Sequence, residues 1–102
     1  MFQSCMKTER ISADHPQVIQ HALDVLRNDG LVAFPTDTVY GLAAPVDNPN
    51  SITRLYVVKG RNHTKAIAVL LGEIDQLDRV AIDFSKSARK IAQHFWPGPL
   101  TM

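Results

Sequence analysis

The chain has 102 residues, 45% of them hydrophobic and 21% charged, with a formal net charge of +1. These figures suit one globular domain, exclude a disordered chain, and leave any nucleic-acid affinity to local clusters of charge. One cysteine, Cys5, excludes an internal disulfide and points to a reducing, cytoplasmic setting. No apolar run approaches the roughly 18 residues of a membrane span, and the opening MFQSCMKTER lacks an apolar signal core.

Residues 1–13 carry little pattern and read as a loose arm or a first edge strand. Asp14 and Gln17 resemble a capping box, with Pro16 tolerated in the first turn. Val18, Ile19, Ala22, Leu23 and Leu26 recur at helical spacing, and Asn28, Asp29 and Gly30 form a stop. The spacing therefore predicts a helix over about 16–27. Leu31 to Phe34 follow as an apolar run without alternation, the pattern of a strand buried on both faces. Pro35 ends that strand because it cannot donate to a ladder. Thr36, Asp37, Thr38 and Tyr40 crowd the strand's exit, and Gly41 permits a sharp turn or a close backbone approach. Ligands of open α/β sheets sit beyond the carboxyl ends of strands, so these hydroxyls and this carboxylate fall where a small polar ligand is expected. The same residue types also suit an ordinary turn.

Residues 43–48 read as loop. Asn50 or Ser51 is positioned to cap a second helix, with Ile52, Leu55 and Tyr56 on one face and its end at Lys59-Gly60. Lys59, Arg61, His63 and Lys65 then alternate with other residues. In an extended segment that period puts four basic groups on one side, suited to phosphate or carboxylate oxygens. Helix-end capping and solvated loop charge explain the same residues without a ligand. Ala66 to Leu71 is a second apolar run, expected as a second buried strand, and residues 73–78 as a short helix. Ser85 caps a third helix in which Ala88, Ile91, Ala92 and Phe95 share a face, with Phe95 and Trp96 expected as core anchors. Pro97-Gly98-Pro99 stops it, and residues 100–102 read as the start of another strand.

Two buried strands and a stub are thin for a covered sheet. The chain is thus expected to be the N-terminal portion of a larger domain, with an uncovered strand edge prone to association. It has no phosphate-cradling G-x-x-x-x-G-K loop, no G-x-G-x-x-G turn and no G-x-S-x-G elbow. His15, His21, His63 and His94 are scattered, so no metal site is expected.

Three stretches taken together carry a resemblance: Phe34 to Leu42 (FPTDTVYGL), Lys59-Gly60-Arg61, and Phe95 to Thr101 (FWPGPLT). In this order and spacing the chain resembles the YrdC/Sua5 family, the TsaC-type threonylcarbamoyl-AMP synthases. The resemblance covers about Gln17 to Thr101, so residues 1–102 read as a partial YrdC-like domain. It implies an α/β fold, a twisted open sheet with flanking helices and a basic concave surface, cut short at the C-terminus. It also implies a nucleotidyltransferase that makes L-threonylcarbamoyladenylate and pyrophosphate from L-threonine, bicarbonate and ATP, with Mg2+ accompanying the nucleotide. The product serves the N6-threonylcarbamoyladenosine modification of tRNA, with other proteins of that pathway as partners.

Carried over by position, the resemblance makes Thr36 and Tyr40 L-threonine-binding residues and Lys59 and Arg61 the catalytic cations. Lys59, Arg61, Lys65 and Thr101 become the ATP- and bicarbonate-binding set. Asn62 and Lys65-Ala66-Ile67 stand where many members have Pro and Lys-Pro-Leu. The family's Ser-x-Asn element is not in the sequence, which puts the activity of these 102 residues in question. The chemistry suits fixed cations: a carbamate forms from the threonine amine and attacks the α-phosphate, gathering negative charge in a small space. Alternatives are a double-stranded RNA or tRNA-binding module, a carbamoyl-transfer domain like that of hydrogenase-maturation proteins, and an inactive fragment of the same fold.

Overall fold

The computed structural model describes residues 7–102, which fall into two compact units, one running to His63 and the other from Thr64. Cys5 and the first half of the possible N-terminal edge strand lie outside the described residues; residues 7–12 form no strand.

In the first unit, helix α1 spans Val18–Arg27. It starts two residues later than expected, and Asp14 does not cap it. A preceding turn takes up the local donors instead: the Asp14 amide donates to Ser12 Oγ (3.2 Å), and the Gln17 amide to His15 Nδ1 (3.1 Å). Val18, Ala22, Val25 and Leu26 are half-buried, whereas Ile19 and Leu23 are exposed.

The end of α1 is a Schellman motif. The Gly30 amide reaches the Val25 carbonyl (2.8 Å) and the Asp29 amide that of Leu26 (3.3 Å). Asp29 holds the left-handed position, φ 63°, which Asp tolerates better than most side chains. Gly30 is needed for a different reason. A Cβ there would stand 2.6 Å from Val25 Cγ1 and 2.8 Å from the Val25 carbonyl oxygen.

Strand β1, Val32–Phe34, packs against α1 and pairs antiparallel with β2, Gly41–Ala43, in the register Val32 to Ala43, Ala33 to Leu42 and Phe34 to Gly41. The expectation of a strand buried on both faces does not hold. Val32 and Phe34 are half-buried while Ala33 is exposed, the alternation of a ribbon with one face toward solvent. Gly41 serves the close approach expected of it: a Cβ would lie 2.8 Å from Phe34 Cζ, so the Phe34 ring occupies the space.

Helix α2 spans Pro49–Lys59. Its cap is Asn48, not Asn50 or Ser51: Asn48 Oδ1 accepts the Ser51 amide (3.1 Å), and Pro49 takes the first helical position. Asn48 Nδ2 also donates to Asp29 Oδ1, and the Arg54 guanidinium donates to the Asp29 carbonyl (2.9 Å). One residue in a left-handed turn thereby ties the end of α1 to the start of α2. Leu55 and Ser51 are the buried residues of this helix.

In the second unit, residues 66–71 form no strand. Apolar composition alone does not make one; a strand exists through a ladder with a partner, and the described residues supply none. Leu70 is 77% exposed. A 3-10 turn, Ile74–Gln76, runs into helix α3, Leu77–Val80, in the place of the expected short helix. Gln76 Oε1 closes its start by accepting the Gly72 and Glu73 amides (2.8 and 3.2 Å). Helix α4 spans Lys86–Phe95 and is capped by Ser85, whose Oγ accepts the Ala88 amide (3.1 Å). Ala92 and Leu77 are buried, but Ile91 and Phe95 are exposed and Trp96 only half-buried, so the last two are not core anchors here. Arg89 joins α4 to α3 through an ion pair with Asp78 (3.3 Å) and lies 5.7 Å from the Phe84 ring centre. Residues 100–102 are not a strand either. No helix among the described residues is long and apolar enough to cross a membrane.

Candidate functional site

The assigned residues of the first unit lie on two elements. Thr36 and Tyr40 share the six-residue loop between β1 and β2, and Lys59 and Arg61 share the C-terminal end of α2.

The β1–β2 loop is closed from within by Thr36. Its hydroxyl donates to the Val39 carbonyl and accepts the Thr38 amide (3.3 Å), with Thr38 Oγ1 3.5 Å away. The single hydroxyl proton is therefore engaged by the loop, and what Thr36 has left to offer a ligand is acceptor capacity. Pro35 at the loop's start and the Phe34–Gly41 pair at its base hold the turn on the ribbon. Tyr40 is 76% exposed, and Asp37 and Thr38 are also exposed. The loop thus carries a phenol, a hydroxyl and a carboxylate in accessible positions, groups that hydrogen-bond and pair with an amino acid's ammonium and carboxylate.

At the end of α2 a second Schellman motif sets the spacing of the two cations. The Arg61 amide donates to the Tyr56 carbonyl (3.0 Å) and the Gly60 amide to that of Val57 (3.1 Å), with Gly60 left-handed at φ 62°. Lys59 is the last helical residue and Arg61 the first beyond the turn, and both are exposed. The His63 ring stacks on the Tyr56 ring, with centroids 4.7 Å apart and planes at 21°. The extended row expected of Lys59, Arg61, His63 and Lys65 does not form. A helix end, a left-handed glycine and a turn over 63–64 replace the two-residue period, and His63 goes to Tyr56 instead of joining a row of cations.

Lys65 and Thr101 belong to the second unit, where both are exposed. The segment leading to Thr101 is fixed by Trp96, whose indole Nε1 donates to the Leu100 carbonyl (2.8 Å), closing the Pro97-Gly98-Pro99 loop. Gly98 passes so close to α4 that a Cβ would stand 2.5 Å from the Phe95 carbonyl oxygen.

Two hollows lie along α1, of 310 and 260 Å³, the first lined by His15, Gln20, His21 and Asp24 among others and the second by Glu9, Val25 and Leu31 among others. Neither lining contains an assigned residue. His21 contributes to both and is paired with Glu9 at 3.0 Å. Among the described residues, no three of His, Cys, Asp and Glu gather in a group able to hold a metal ion.

The Tyr56–His63 stack is a feature that sequence reasoning missed. The two residues are separated by a helix end and a left-handed turn, so no helical or strand period links them. Asn48 was within reach, because Pro49 at a first helical position marks the residue before it as the cap.

The family model described as "Telomere recombination", that of Sua5, YciO and YrdC, matches residues 24–102. The threonylcarbamoyl-AMP synthase of Bacillus subtilis is 37% identical over 95 residues, which is 93% of this chain and 27% of that protein. The threonylcarbamoyl-AMP synthase of Pyrococcus abyssi is 38% identical over 84 residues, 82% of this chain and 25% of that protein. This chain therefore spans about a quarter of the length of those two relatives. Among solved structures, Pyrococcus abyssi Sua5 in complex with L-threonine is similar at a TM-score of 0.77 and 36% identity, covering 89% of this chain and 26% of that one. The α/β arrangement of short sheet and helices is thus that of part of a YrdC-like fold, and the chain belongs to the Sua5, YciO and YrdC family.

Proposed function

We propose that the chain carries the L-threonine-binding and phosphate-facing part of a threonylcarbamoyl-AMP synthase. The observation that carries this reading is the likeness, at 36% identity over 89% of the chain, to a structure that holds L-threonine. The accessible groups of the β1–β2 loop and the paired cations at the end of α2 agree with it in chemistry.

In this reading Tyr40 and the Thr36 loop hold L-threonine by hydrogen bonds. The threonine nitrogen attacks the carbon of bicarbonate or CO2, forming a C–N bond with loss of water or a proton. A carbamate oxygen then attacks the α-phosphorus of ATP, the bond to the bridging oxygen breaks, and pyrophosphate leaves. Negative charge builds on the carbamate and on the phosphates, and Lys59 and Arg61 stabilise it as fixed cations, Arg61 through its planar fork. Lys65 and Thr101 are assigned to the nucleotide, and Mg2+ enters with ATP as part of the substrate. The product is an activated threonylcarbamoyl group for transfer to tRNA adenosine, a cytoplasmic task.

The test is pyrophosphate release by the 102-residue chain. Release is expected only with L-threonine, bicarbonate and Mg-ATP all present, and Arg61→Ala is expected to lower it about 100- to 1,000-fold, the scale of losing a charge-stabilising donor. Release that does not depend on L-threonine would contradict the reaction. Saturable binding of L-threonine and ATP without release would mark these residues as the binding portion alone.

A further inference from the structure

We propose that Tyr56 and His63 form a latch that positions Arg61 for phosphate binding. This rests on the reading of Lys59 and Arg61 as the phosphate-facing cations, and adds to it two residues that contact no substrate themselves.

The geometry is a double grip by one residue. The Tyr56 carbonyl accepts the Arg61 amide at 3.0 Å, and the Tyr56 ring stacks on the His63 ring at 4.7 Å and 21°. The three-residue segment 61–63 is thus held at its first residue by a backbone bond and at its last by a ring. Gly60, left-handed at φ 62°, is the hinge that lets the chain double back onto the helix. Nothing lies within 4 Å of a Cβ built at Gly60, so the left-handed backbone and not crowding is what calls for glycine there. A guanidinium on a held backbone gives up less conformational freedom when it meets a phosphate than one on a loose loop, and that saving appears as affinity. His63 is suited to this as a flat ring on a short stem, and the stack needs its shape and not its charge. Phe at residue 63 therefore preserves the latch and Ala removes it. Tyr56 and His63 are positioning residues that act through the direction of the Arg61 backbone.

The experiment compares the wild-type chain with His63→Ala, His63→Phe, Tyr56→Ala and Arg61→Ala. The first readout is the 15N heteronuclear NOE of the Arg61 and Asn62 amides without ligand. It is expected to fall in His63→Ala and Tyr56→Ala and to stay at the wild-type value in His63→Phe. The second is the Kd for Mg-ATP by calorimetry. His63→Ala is expected to weaken it about 2- to 10-fold, the range open to one aromatic pair, and His63→Phe to restore it. His63→Ala combined with Arg61→Ala should weaken binding no more than Arg61→Ala alone.

An unchanged NOE in His63→Ala overturns the latch. So does an unchanged Kd in His63→Ala while Arg61→Ala binds poorly, and in that case the assignment of Arg61 to phosphate survives. If Arg61→Ala binds Mg-ATP as well as wild type, that assignment falls, and a lowered NOE in His63→Ala would then leave the stack as a turn closure with no part in phosphate binding. Thermal unfolding of each variant separates these outcomes from loss of fold, with His63→Phe as the control that keeps the ring.

Discussion

Two apolar runs of similar character, Leu31 to Phe34 and Ala66 to Leu71, end in opposite ways. The first becomes a strand because Gly41–Ala43 lies a short loop away in register, and α1 packs against it. The second, longer and more apolar, stays without a ladder, with Leu70 largely exposed. The difference teaches that an apolar run records a wish for burial, while a strand is a property of two segments. The region around the first run is also braced at its joints: Asp29 and Asn48 tie the end of α1 to the start of α2 by named hydrogen bonds, and Gly30 closes against Val25 of α1. The region around the second holds Leu77 and Ala92 as its buried hydrophobic residues.

The contrast is broken most directly at Gly30. Gly30→Ala pushes a methyl into Val25 and its carbonyl, and is expected to destabilise the chain by about 2–3 kcal/mol in urea unfolding, at the upper end of overpacking costs. Asn48→Ala removes the α2 cap together with the bond to Asp29, and a loss of about 1–2 kcal/mol is expected by the same measurement. Ser51→Ala works in the other direction. The Ser51 hydroxyl is buried with no hydrogen-bond partner among the described residues, so removing it is expected to raise stability by about 1 kcal/mol. Leu70→Asp, at a largely exposed position of the second run, is expected to change stability by less than about 0.5 kcal/mol. It should reduce any self-association seen in sedimentation, since the exposed Val69 and Leu70 side chains offer an apolar surface to a second molecule. A large loss on Leu70→Asp would show that the second run is packed after all.

The three long helices were legible because each has its own period and its own stop. The αL Gly60 and the Ser85 cap were readable from the residues nearby. The edges that required distant information were not. β2 was hidden because Gly41, Leu42 and Ala43 have strand meaning only beside Val32 to Phe34. The failed strand at 66–71 is the same limit seen from the other side. At the candidate site the motif positions were readable from resemblance, but the roles inside the loop were not. That the Thr36 hydroxyl bonds the Val39 carbonyl, and that Tyr56 pins His63 across a left-handed turn, depend on backbone conformations that residue identity alone leaves open.

The most direct test of the proposed role is an L-threonine titration of the 15N-labelled chain, following the amide shifts. Saturable changes centred on residues 36–41, abolished by Tyr40→Ala and absent with L-valine, are the expected result. Changes centred instead on the hollows along α1, or no saturable change at all, would contradict the placement of the amino acid on the β1–β2 loop.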